Sequence, residues 1–89
     1  MYFVYILHSK KDNKLYIGYT EDLNSRLSSH TNGKVASTKN RMPLELIYYE
    51  AYKNQLDAKK REIFLKSGSG HRFIKKQMAN YFAEKAVFD

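Results

Sequence analysis

Arg26 and His30 stand four residues apart in a stretch with helical signals, so they share one side of a helix, one turn from each other. Arg offers a planar fork of donors that matches a phosphate, and His titrates near neutrality, so the pair could clamp an anion and support proton transfer. The same pair would also suit a solvated helix face. Tyr5 and Tyr16 lie on two segments that read as paired strands and could be brought near each other by a short turn. Tyr is common on half-buried sheets, where its ring packs and its hydroxyl stays wet, so packing is the competing reading. Gly18 interrupts an otherwise strong strand, which marks a place where a ligand or another backbone approaches closely. Glu62 is one of two acids in a basic block; Lys59, Glu62 and Lys66 fall on one helix face, and Glu62 can pair with Lys66. Facing a phosphate instead, a lone carboxylate would suit Mg²⁺, which keeps most of its waters and takes one or two protein oxygens.

The elements that must position these groups can be read from pattern. Tyr2 to His8 is dense in β-branched and aromatic residues and predicts a strand; Ser9 to Asn13 predicts a turn, and about Lys14 to Tyr19 a second strand. Phe3, Tyr5 and Leu7 share one face of the first, and Tyr16 and Gly18 one face of the second. Thr20-Glu21-Asp22 supplies caps for a helix to about Thr31 with Leu23 and Leu27 as its buried stripe, Arg26 and His30 beside it, and Asn32-Gly33 closing it. Residues 33–43 predict an exposed loop of a length that often carries function. Leu44 to Tyr52 predicts a third strand. Asn54 opens a helix to about Lys66 whose packing face is expected to be Leu56, Ile63 and Phe64. Ser67-Gly68-Ser69-Gly70 breaks it before a last helix from about His71 to Ala83 or beyond, with Phe73, Ile74, Met78, Tyr81 and Phe82 inside. The order ββαβαα describes an α+β fold, a three-stranded antiparallel or mixed sheet flanked by helices.

Eighty-nine residues bound this to a single domain, 1–89. With no Cys there are no disulfides, thiolate zinc sites or cysteine nucleophiles, and His8, His30 and His71 show no metal-ligand spacing. The longest apolar run, Met1 to Leu7, is too short to cross a bilayer and has no charged segment ahead of it, so no membrane association and a cytoplasmic location are expected. The net charge of +7 is concentrated: residues 53–76 carry eight bases against two acids. Such a block attracts polyphosphate or an anionic membrane surface, and it would equally suit a well-solvated helix that keeps the protein soluble. Lys59, Lys66, Arg72, Lys75 and Lys76 are its candidate nucleic-acid contacts, with Gly18 where the chain can be approached; the start of the last helix could also offer its amides to a phosphate.

Taken in order, Val4-Tyr5-Ile6-Leu7, Leu15-Tyr16-Ile17-Gly18-Tyr19-Thr20, Asp22-Leu23, Arg26-Leu27 and His30 resemble the GIY-YIG endonuclease superfamily, in particular its small stand-alone single-domain members, similar to the GIY-YIG nuclease region of the DNA-repair excinuclease. Leu46-Ile47-Tyr48-Tyr49-Glu50, Ala58-Lys59-Lys60-Arg61-Glu62 and Leu65-Lys66 extend the resemblance over nearly the whole chain. It implies that Tyr5 and Tyr16 are the motif tyrosines, Arg26 the helix arginine, His30 the residue one turn on, and Glu62 the ligand of Mg²⁺ or Mn²⁺. Two positions depart from the pattern. Phe3-Val4-Tyr5 lacks the first motif's glycine, and residues 74–77 read Ile-Lys-Lys-Gln where many family nucleases carry an Asn, leaving Asn80 as the late candidate.

The resemblance implies phosphodiester hydrolysis by in-line attack of water, with DNA ahead of RNA as the polymer, in a repair setting, and a protein partner supplying specificity. A tyrosine would act as base, although a free phenol titrates near about 10; nearby cations are expected to favour its phenolate, with His30 accepting or relaying the proton, and either tyrosine fits the part. The competing readings are a non-catalytic nucleic-acid binding module of the same fold and a protein-interaction domain.

Overall fold

The computed structural model describes residues 1–88. β1 (Tyr2–Ser9), β2 (Leu15–Thr20) and β3 (Leu44–Tyr52) form an antiparallel sheet in the order β2-β1-β3, so the first strand is central. The β1–β2 turn is closed by Asn13, which takes a left-handed backbone (φ 60°), and by the Ser9 hydroxyl accepting the Lys11 and Asp12 amides. Arg41 reaches across to Asp12 at 2.7 Å and holds its carboxyl well below the usual range. Tyr5 pairs with Gly18 on one side and Tyr49 on the other, and a bulge between Ile6 and Leu7 shifts the β3 register.

Alternation divides the sheet between two tasks. Val4, Ile6 and Ile17 point to one face and form the core with Ala58 and Leu65 of α2 (Gln55–Lys66) and Ile74 of α3 (Gly68–Gln77). Tyr5, Leu7, Tyr16 and Gly18 occupy the other face, which carries α1 (Leu23–Thr31) and the segment after it. On the core side Glu50 of β3 is gripped by Arg61 of α2 through two bonds of 2.9 and 3.0 Å and accepts the hydroxyls of Tyr48 and Tyr52. The Arg61 guanidinium also lies 4.5 Å from the Phe73 ring centroid, so one cation ties β3, α2 and α3 together. Burial and the Glu50 carboxylate push the Tyr52 phenol up to about 12.

Four sequence expectations are corrected. Leu56 and Ile63 are 69% and 70% exposed and Phe64 37%; Ala58 and Leu65, one apolar spacing over, form the buried seam of α2. Ala58 is wholly buried in that seam. The Ser-Gly-Ser-Gly run does end α2, but it opens α3: Ser67 caps it by accepting the Gly70 amide, and a Cβ on Gly70 would overlap the Phe64 carbonyl. The last helix is two helices, with α4 (Ala79–Phe88) set off at Met78, giving ββαβααα. In α1 the buried residue is His30, while Leu23 and Leu27 are half-buried.

Leu65→Ala should therefore lower unfolding free energy by about 2–5 kcal/mol, whereas Ile63→Ala should stay within about 0.5 kcal/mol. Urea denaturation of the two variants checks this, and equal losses would restore the Leu56–Ile63 seam.

Candidate active site

Tyr5 is wholly buried on the central strand, yet its hydroxyl is the meeting point of the opposite sheet face. Its oxygen lies 2.8 Å from His30 Nε2 and accepts from Arg26 Nε at 3.4 Å. Asp22 caps α1 by accepting the Ser25 amide, and this start point brings Arg26 and His30 over the strand. Gly18 lies directly beneath the phenol: a Cβ there would overlap Tyr5 Cζ and Oη. The close approach that this glycine permits is thus that of Tyr5 itself. Tyr16, half-buried two residues before it, sets its ring 6.3 Å from that of Tyr5 and 5.1 Å from that of His30.

His30 is 1% exposed, and its second nitrogen, Nδ1, is 2.7 Å from the Thr38 hydroxyl. Burial, and then the Arg26 charge, lower its pKa and favour the neutral ring. A neutral ring must donate at one nitrogen and accept at the other, so Thr38, His30 and Tyr5 form a chain polarised in one direction or the other. With Tyr5 donating to Nε2, Nδ1–H donates to Thr38; reversed, Nε2–H and Arg26 both donate to the Tyr5 oxygen. Thr38 sits in the segment expected to be an exposed loop. It is fully buried, and Val35 nearby is buried too, just ahead of a short 3-10 turn at Lys39–Arg41. Helical periodicity could not find it, because its partner is eight residues away and the chain between them is irregular.

The Tyr5 phenol does not follow the expectation that nearby cations lower its pKa. Burial outweighs the Arg26 hydrogen bond and raises it, with the charges of Tyr16 and Glu62 adding to the rise. Arg26 in turn is pushed further up, chiefly by its hydrogen bond to Tyr5. Glu62 shares the inward side of α2 with Ala58 and Leu65, is half-buried, and pairs with Lys66 Nζ through Oε2 at 3.1 Å. Among the described residues no group of three His, Cys, Asp or Glu could cage a metal ion. One half-buried carboxylate suits an ion that keeps its waters and takes substrate oxygens, such as Mg²⁺ or Mn²⁺, and does not suit zinc.

The basic block does not converge on this cluster. Lys59 lies 5.4 Å from the Tyr19 ring centroid and Lys66 pairs with Glu62. Arg72 bonds the Ser69 hydroxyl at 3.0 Å, Lys75 lines a cleft with His8, Lys76 flanks Phe73 and Gln77, and Asn80 is exposed in the first turn of α4.

The family model described as the GIY-YIG catalytic domain matches residues 1–77, a span holding Tyr5, Tyr16, Arg26, His30 and Glu62. The chain belongs to the GIY-YIG family. Its relatives include a UPF0213 protein of Staphylococcus epidermidis, 43% identical over 75 residues, covering 83% of this chain and 90% of the relative. A UPF0213 protein of Clostridium perfringens is 42% identical over 67 residues, 74% of this chain and 71% of the relative. The UPF0213 protein YazA of Bacillus subtilis is 36% identical over 85 residues, 94% of this chain and 80% of the relative. No solved structure was found to match. Among the described residues no helix is long and apolar enough to cross a membrane. The GIY-YIG domain is of nuclease type, and the relatives' names state no activity.

The native fold disfavours the charged His30, whose ordinary pKa is 6.5, so the unfolded chain binds the extra proton as pH falls through that value. Stability from this site is complete above it and declines below, and the slope of unfolding free energy between about pH 7 and pH 5 should shrink in His30→Gln. Gly18→Ala should displace the Tyr5 ring and cost about 1–3 kcal/mol. Urea titrations at several pH values check the first, and a near-neutral Gly18→Ala would contradict the second.

Proposed function

We propose that this protein is a metal-dependent endonuclease that hydrolyses phosphodiester bonds in DNA, with low sequence specificity of its own. The observation that carries the reading is the buried Tyr5 hydroxyl held between His30 and Arg26 on the sheet face that Tyr16 borders. It acts as one domain, residues 1–89, in the cytoplasm, with structured or damaged DNA ahead of RNA as substrate and a protein partner supplying further specificity.

In this reading Arg26 binds the scissile phosphate and stabilises the charge that grows on it in the transition state. Neutral His30 accepts the Tyr5 proton at Nε2, while Arg26 Nε–H holds the resulting phenolate oxygen and Thr38 fixes the ring at Nδ1. The phenolate then takes the proton of the attacking water; Tyr16, nearer the surface, positions that water or the phosphate. Glu62 would hold Mg²⁺ or Mn²⁺, which when bound supplies neutralisation of the phosphate and leaving oxygen and offsets the carboxylate's upward push on Tyr5. Gly18 keeps the phenol in place, and Lys59 and Lys66 border the Glu62 side of the bound strand. Arg72, Lys75 and Lys76 on α3 contribute longer-range attraction to the polyanion.

Nicking of a panel of labelled DNA and RNA structures with Mg²⁺ or Mn²⁺ tests this. Wild type should cleave, Glu62→Gln should bind without cleaving, and Tyr5→Phe should lose about a hundredfold or more in turnover with little change in affinity. Arg26→Ala should lower both. Binding by all variants with cleavage by none, wild type included, would instead make the protein a nucleic-acid binding module of the same fold.

A further inference from the structure

The sheet face opposite Tyr5 carries a second polar constellation at the hairpin end. His8 follows Val4 and Ile6 on the core side of β1 and is 6% exposed. Its Nε2 donates to Asn13 Oδ1 at 2.7 Å, and its Nδ1 pairs with the Tyr81 hydroxyl at 2.7 Å, so the turn is tied to α4 through a buried imidazole. The left-handed backbone of Asn13 (φ 60°) is a conformation that residues other than glycine adopt sparingly, and here it turns the side chain onto His8. This network floors a cleft of about 430 Å³ walled by Lys14, His71, Lys75 and Phe82. A second opening of about 400 Å³ shares His8 and Asn13 and is lined by Lys10 and Lys85.

The two openings differ in charge balance. Glu45 pairs with Lys10 at 3.5 Å and with Lys85 at 3.8 Å, which compensates the second. Among the described residues, neither Lys14 nor Lys75 in the first makes an ion pair, and no carboxylate lines its wall. Two ammonium groups and an imidazole around a concave space attract a compact anion, and the Phe82 wall favours a flat apolar group attached to it. The volume is within the range of small-ligand sites, about 300–1,000 Å³.

We propose that this cleft is a second ligand site, on the sheet face opposite Tyr5, which takes the phosphate of a nucleotide between Lys14, His71 and Lys75 with the base toward Phe82. The phosphate comes from a free mononucleotide or from a polynucleotide; because the smallest extent of the molecule is 18 Å, one strand can reach round an edge and touch both faces. The site does not depend on cleavage at Tyr5.

The test is amide NMR of the full chain, without divalent metal, titrated with adenosine 5′-monophosphate, with adenosine as the phosphate-free control, and with a short single-stranded oligonucleotide. The monophosphate should shift the amides of Asn13, Lys14, His71 and Lys75 saturably while adenosine leaves them in place. Lys14→Gln combined with Lys75→Gln, surface changes that keep the dispersed spectrum of the fold, should weaken the effect roughly tenfold or more. Shifts in the cleft with the monophosphate but not the oligonucleotide identify a free nucleotide as the source, and shifts in the cleft with the oligonucleotide identify the polymer. The proposal is overturned if neither ligand moves these amides saturably, or if the double variant responds as wild type does.

Discussion

A phenol hydroxyl buried on the central strand of a three-stranded sheet is the constraint around which the rest of this molecule is arranged. Leaving such a group without partners costs about 1–3 kcal/mol, so Tyr5 can be buried only where donors and acceptors are brought to it. His30 and Arg26 come from α1, and the Asp22 cap sets where that helix begins. His30, buried in its turn, needs a partner for its other nitrogen, and Thr38 provides it from the irregular segment that follows. Gly18 leaves the space in which the ring lies. Each requirement creates the next, and the resulting chain of bonds runs from the sheet into what would otherwise be a loose connection.

The opposite sheet face holds the apolar core, and its polar residues are used differently. Glu50 and Arg61 pair on a partly buried surface with two tyrosine hydroxyls on the same carboxylate, an arrangement that locks strand to helix and leaves little hydrogen-bonding capacity for a ligand. Glu62, next to Arg61 on the same helix, has a single ion-pair partner among the described residues, Lys66. Two glutamates of similar burial therefore differ in availability, and availability is what a metal ligand needs.

Burial sets the charge state of the Tyr5 cluster. Burial keeps the phenol protonated and the imidazole neutral, so the resting state stores no separated charge on the Tyr5–His30 pair. In the proposed reaction a proton passes from the Tyr5 oxygen to the His30 nitrogen when charge arrives beside them, with Arg26, which already donates to that oxygen, holding it.

Strand alternation, the cap before α1 and the one-turn spacing of Arg26 and His30 were all legible along the chain, because each is a local regularity of the backbone. So were Tyr5, Tyr16, Arg26, His30 and Glu62 as a motif set. The packing side of α2 was not: Leu56, Ile63 and Phe64 are the larger apolar residues, yet the helix buries Ala58 and Leu65. Nor could spacing separate the last two helices at Met78, bury Thr38, or place His8 under Asn13 and Tyr81. By itself the sequence determined the three strands, the helix that follows the hairpin, the family and the chemistry available to it. Which tyrosine is buried against the histidine, which glutamate remains available, and which cations share a cleft were decided only by the tertiary structure, because burial and partnership depend on groups brought together from distant parts of the chain.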